Sequence, residues 1–265
     1  MTKLIIRQNN SSHLQQDAFE LNQYAVIRQI QSWQSVLDLY QQLKQELSPR
    51  KVLFILEDIG QCNYTSMHAA MRDELYFDES EYVGDAEGEE EDLILENIQP
   101  LAVKHYIRQL NQNENSVAFK ALKNKFQYTQ QDFESLIKIN IHPEGILDEE
   151  VEIKLVNVST DIEKFAAKLN GYFSCDFNPN ESFSFIQYLD EKFKLEYVGL
   201  GASLLFFIKT EKLDLTTIQK LIADLTEIYG FNMEMIQYLE QHLAQQNYVI
   251  LPYVESLDVF DGCFD

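Results

Sequence analysis

The chain of 265 residues is long enough for one large domain or two ordinary ones, and two is the expectation. Its 45% hydrophobic and 12% aromatic content supplies a core without metal or disulfide staples and argues against disorder over most of its length. A formal net charge of −22 repels phosphate backbones, which disfavours direct DNA or RNA binding, and attracts basic proteins.

The opening residues Met1-Thr2-Lys3-Leu4-Ile5-Ile6-Arg7-Gln8 lack the apolar stretch and cleavage site of a secretory leader, and Leu4 to Arg7 reads as a short strand. From Gln31 to Leu47, Trp33, Val36, Leu37, Tyr40, Leu43 and Leu47 recur at three- and four-residue intervals and predict a helix, which Ser48-Pro49 stops. The unbroken apolar run Val52 to Leu56 predicts a strand covered on both faces. A loop from Asp58 to Thr65 and a helix from Ser66 to Leu75 complete an N-terminal α/β part, residues 1–77.

Residues 78–92 carry nine acids and no base and read as an acidic loop or linker, too self-repelling to compact. Residues 93–150 read as a helical segment completing the N-terminal part. Its helices are predicted from Pro100 to Leu110, from Asn115 to Phe126, and from Thr129, which stands three residues before Asp132 in the manner of a capping box. A turn from Ile141 to Gly145 marks the boundary.

Residues 151–254 read as a C-terminal α/β domain. A strand starts at Val151, and Thr160 caps a helix ending at Asn170-Gly171. Tyr172 to Phe177 is a second strand, and Asn178-Pro179 opens a further helix. Leu195 to Gly199 and Ser203 to Lys209 form a hairpin, two amphipathic helices cover 214–229 and 232–245, and Tyr248 to Leu251 closes as a strand. The longest apolar run, Leu204 to Ile208, fits a buried strand and falls far short of the roughly 20 residues that span a bilayer. The fold class is therefore α/β with α+β character: mixed sheets with helices packed on their faces, in two parts, followed by an acidic-aromatic tail at 255–265.

Chemistry is sought first after the buried strand, because ligands in open α/β sheets sit beyond the carboxyl ends of strands. Asp58, Cys62 and His68 lie there with Glu57, Asn63 and Tyr64. Cys62 and His68 are a candidate nucleophile and base with Asp58 nearby; the other reading is a structural cysteine and a surface histidine. No glycine-rich phosphate loop, His-Glu-x-x-His or calcium-loop pattern is present, so no cofactor or metal is implied. Met67, Met71, Met233 and Met235 read either as an adaptable apolar surface or as core filling. Cys62, Cys175 and Cys263 are an odd set at wide spacing, which fits a reducing, cytoplasmic compartment. In the tail, Asp258, Phe260, Asp261, Phe264 and Asp265 alternate acids with phenylalanine. They are candidates for binding a basic groove, unless the phenylalanines fold back on the body.

Phe185-Ile-Gln-Tyr-Leu-Asp-Glu-Lys-Phe193, Leu195-Glu-Tyr-Val-Gly199 and Ile228-Tyr-Gly-Phe231 give residues 171–254 a layout that resembles small acidic bacterial domains of unknown function, some of them toxin-immunity proteins. That resemblance carries over no functional residue. The expected function is a non-enzymatic acidic interaction module, most concretely a bacterial inhibitor or immunity protein masking a basic effector such as a nuclease toxin. The alternatives are an enzyme, small-ligand or metal-binding protein using the Asp58–His68 loop, and a structural subunit stabilised by its partner. The expected partner is a basic protein, with no nucleic acid and no membrane.

Overall fold

Seven strands form one sheet in the order β1-β2-β4-β3-β5-β6-β7 in the computed structural model, which describes residues 2–7 and 23–264. The strands are β1 Lys3–Ile6, β2 Gln23–Arg28, β3 Lys51–Ile55, β4 Glu150–Val156, β5 Leu195–Leu200, β6 Leu204–Lys209 and β7 Tyr248–Pro252. The helices are α1 Trp33–Glu46, α2 Ile59–Ala70, α3 Ser80–Val83, α4 Glu89–Leu110, α5 Gln130–Ile141, α6 Pro179–Phe193, α7 Leu215–Tyr229 and α8 Met233–Gln245. β3 and β5 run parallel, and the other neighbours are antiparallel, so the mixed α/β class holds.

The expected division into two parts does not. β4, from the C-terminal stretch, pairs with both β2 and β3, and β3 pairs on its other side with β5. The two stretches therefore interleave in one sheet, with a boundary at 150/151 falling at the start of a shared strand. The physical reason lies in β3: four of its five residues are buried, and a strand apolar on both faces needs hydrogen-bonded neighbours on both edges. Helices cover both faces. Successive side chains of a strand point to opposite sides, and in β6 Phe206 meets Trp33 of α1 at 5.7 Å while Phe207 meets Phe185 of α6 at 6.3 Å.

Local signals held where they were strong. Thr129 and Asn178 each form a complete capping box, with Asp132 and Glu181 respectively, and β5 and β6 form the hairpin. Elsewhere tertiary contacts redirected the chain. The acidic stretch contains α3 and the first turn of α4, where Glu89, Glu90, Glu91 and Asp92 lie at the positive end of the helix. Helix thus begins well before Pro100. Only a 3-10 turn, Phe119–Leu122, forms where a helix was expected from Asn115; Phe119 stacks on Tyr188, and Asn124 N–H donates to the Glu227 carbonyl at the end of α7. After Thr160 there is likewise a 3-10 turn, Glu163–Ala167, although the Thr160 hydroxyl does accept from Glu163 N–H. Residues 172–177 are a turn, not a strand. β2, QYAVIR, shows no clean alternation because it is buried on both faces.

Candidate functional site

The carboxyl ends of the parallel pair β3 and β5 converge on Glu57. Its carbonyl accepts from Ala202 N–H and its carboxyl from Ser203 N–H at 3.2 Å, pinning the β5–β6 turn to the end of β3. Gly201 is required there: a β-carbon would lie 1.8 Å from Glu57 Oε2. Burial pushes the Glu57 carboxyl up to about 8, opposed by the Ser203 N–H and reinforced by Asp58, so at neutral pH it is held uncharged.

Directly after it, Asp58 caps α2, accepting from Gln61 N–H at 3.1 Å in a left-handed conformation with φ 38°. The helix starts at Ile59, so Cys62, Asn63 and Tyr64 stand on its first turns and not in a loop. Cys62, Thr65 and Ala69 form the buried face. Burial pushes the Cys62 thiol up to about 12, with Lys168 opposing, the reverse of what a nucleophile needs. Nor does His68 attend it. Six residues of helix leave the two side chains about 120° apart, and His68 instead sits between Tyr64 and Tyr172, 4.5 Å from each ring. Asp58, Cys62 and His68 are thus placed on one helix but not brought together.

The outer face of α2 is apolar. Tyr64, Met67, His68 and Met71 follow the i, i+3, i+4, i+7 spacing of a single stripe, and Met67 and Met71 are 54% and 60% exposed. Tyr172 and Phe173 extend it, exposed likewise, with rings 5.1 Å apart. Gly171 sets their position: it has φ +91°, and a β-carbon there would lie 2.0 Å from the Phe177 carbonyl. The hydrogen bond from Lys168 Nζ to Asn63 ties the chain before this turn to α2. Expecting a strand at 172–177 hid the patch, although Gly171 followed by two aromatic residues was its signal. Of the four internal methionines, Met235 fills the core, whereas Met233, Met67 and Met71 are exposed.

The tail folds back on the body. Leu257 and Phe260 are buried, Leu257 N–H donates to Asp132 Oδ1 at 2.8 Å, and Asp261 Oδ2 accepts from Gln131 of α5 at 2.5 Å. Phe264 is half-buried, its ring lying against Gly145. Phe260 is part of the chain's own core and offers no anchor to a partner in this conformation. Asp258 stays exposed, and Asp265 lies outside the described residues. A shallow depression of about 490 Å³ between α5 and the tail, and another of about 480 Å³ beside Cys175 and Glu255, converge no catalytic set.

At the opposite end of β3 and β5, buried charge is concentrated. Fully buried Lys164 donates to the Tyr40 hydroxyl at 2.7 Å and to Asp161 at 3.2 Å. Tyr40 donates to Glu196 at 2.6 Å, Lys44 reaches Glu196 at 2.5 Å, and Lys51 reaches Asp161 at 3.2 Å. Burial pushes the Lys164 ammonium down to about 8 against the pull of Asp161 and Glu196. No solvent reaches it, and the group reads as an ion network joining α1, β3 and β5.

Among the described residues no three His, Cys, Asp or Glu side chains are arranged to hold a metal ion, and no helix is long and apolar enough to cross a membrane. Comparison with protein-family models, with curated proteins and with solved structures finds no match to this chain.

Proposed function

We propose that this protein is a non-enzymatic, acidic interaction module that docks a basic protein partner on the outer face of α2 and the 172–173 turn. The observation that carries the reading is the exposed stripe of Tyr64, Met67, Met71, Tyr172 and Phe173 around His68. Aromatic and methionine side chains grouped on a surface are the composition of interface hot spots. The net charge of −22 favours approach by a basic partner. The concrete form we favour is an inhibitor that masks a basic effector such as a nuclease toxin. A cytoplasmic setting is part of the proposal, supported by Cys62, Cys175 and Cys263 all being unpaired.

The test is quantitative affinity capture from the cells that make the protein, comparing wild type with a Tyr64→Ala/Tyr172→Ala variant and with Met233→Ala, an exposed change elsewhere. One basic protein should be retained by wild type and by Met233→Ala, and fall at least tenfold with the patch variant. Equal recovery by all three removes the patch from the function, and recovery of an acidic protein or a nucleic acid removes the proposed partner.

A further inference from the structure

The acid of this chain is concentrated where the exposed stripe of α2 ends. Residues 73–92 contain eleven acids and no base, half of the net charge of −22, and they begin two residues beyond Met71. Arg72 pairs with Glu74, and Arg7 with Glu96 further along α4. Over residues 73–110 the lysines and arginines are Lys104 and Arg108, against twelve acids. Glu89, Glu90, Glu91 and Asp92 are drawn to the positive end of α4, but Asp73, Glu79, Glu81, Asp85 and Glu87 are simply exposed.

This acidic arm is held in place. Leu75 is fully buried at its root, and the Phe77 ring lies 5.7 Å from Tyr82 of α3 and 5.6 Å from His105 of α4. Tyr76 and Tyr82 are 53% and 44% exposed among the acids. Carboxylates attract any cation, whereas tyrosine faces add a cation–π attraction that suits lysine and arginine side chains. The same field repels phosphates and a second copy of this chain, and residues 8–22, with Asp17 and Glu20 and no lysine or arginine, do not complement it. A basic protein segment does.

We propose that residues 73–92 are the electrostatic half of the docking face, and that the partner presents one bipartite segment: apolar or aromatic side chains for the α2 stripe and, beyond its Met71 end, a run of lysine or arginine. The inference rests on the docking reading above. Tyr64 to Met71 spans about 10 Å of helix, with Tyr172 beside Tyr64 and His68 and the arm following Met71, so the two halves lie in sequence along one face. They govern different rates. Exposed charges act at a distance and raise association, while apolar contacts that lose water on binding set dissociation.

Random peptides of about 15 residues, roughly 50 Å when extended, displayed on phage and selected on the full chain, should converge on an apolar or aromatic cluster with a run of lysine or arginine on one side of it. Surface plasmon resonance with a synthesised selected peptide then separates the halves. Glu79→Gln/Glu81→Gln/Asp85→Asn/Glu87→Gln, which keeps Asp78 as the acceptor for Ser80 N–H, should slow association about tenfold and flatten its salt dependence, with little change in dissociation. Tyr64→Ala/Tyr172→Ala should instead speed dissociation about tenfold. Selection that yields no basic run, or an association rate that the arm variant leaves unchanged, overturns the proposal; the docking reading survives either result if Tyr64→Ala/Tyr172→Ala still weakens binding. A peptide whose binding ignores that pair of substitutions overturns both.

Discussion

β3 and β5 bury ionisable groups at both of their ends, by opposite means. At the amino end Lys164, Asp161, Glu196 and Lys44 remain charged partners of one another, with the Tyr40 hydroxyl between Lys164 and Glu196. At the carboxyl end Glu57 has no cation against it among the described residues and carries a proton at neutral pH instead, its carboxyl accepting from Ser203 N–H. Burying an ion is costly unless it is paired or neutralised. The network shows the first solution and Glu57 the second, and they fail under different insults: loss of a partner in one case, loss of a proton in the other.

The largest effect should come from breaking the network. Lys164→Met leaves Asp161 with Lys51 at 3.2 Å and Lys44 at 3.8 Å and takes from the Tyr40 hydroxyl the donor it accepts from, and should cost about 3–5 kcal/mol by urea denaturation at pH 7. A cost under about 1 kcal/mol would show that the ammonium's desolvation nearly cancels its partners' attraction, and the contrast between the two ends would shrink.

Glu57→Gln should behave in the opposite sense and only in one pH window. A carboxyl raised from 4.5 to about 8 on folding contributes its stability below pH 4.5 and loses it as pH rises through 8. Wild type should therefore weaken across that interval while the glutamine variant holds steady. By pH 9 the variant should be more stable by up to about 5 kcal/mol, each unit of pKa being about 1.4 kcal/mol. Parallel stability curves from pH 5 to 9 would sink the protonated-carboxyl reading. Lys164, depressed from 10.5 to about 8, acts in the adjoining interval: stability rises between pH 8 and 10.5 as the unfolded ammonium deprotonates.

Gly201→Ala tests the packing around Glu57 without changing charge. Its β-carbon would meet Glu57 Oε2 and the Glu57 carbonyl at 1.8 and 2.6 Å, so it should destabilise by about 1–3 kcal/mol, measured by thermal or urea denaturation. Truncating Glu57 to Ala in the same chain should relieve only part of this, because the carbonyl contact stays.

Smallest in energy, but decisive for the cysteine, is thiol reactivity. Under native conditions Cys263 should react with a disulfide reagent fastest, Cys175 more slowly, and Cys62 only on the timescale of unfolding, following their exposed, intermediate and buried placement. Fast labelling of Cys62 would reopen the nucleophile reading.

Much of this protein was legible along the chain because the responsible interactions are local. Thr129 with Asp132 and Asn178 with Glu181 satisfy helix amides within three residues, the Gly199 to Gly201 stretch turns β5 into β6, and the apolar stripes of α1, α7 and α8 follow from periodicity alone. The apolar run at β3 marked a strand covered on both faces, though not which strands flank it. Strand order was decided by the tertiary structure, since the partners of residues 51–55 come from residues 150–156 and 195–200 and hydrogen bonding across such separations leaves no local pattern. The same holds for the candidate site. Cys62 and His68 are neighbours in sequence that a helix turns away from each other, while Tyr172 joins Tyr64 and His68 from more than 100 residues away. Glu57 stood in the sequence as one carboxylate of the candidate loop and Lys164 carried no signal at all; folding removed water from both, and only then did one need a proton and the other a ring of partners.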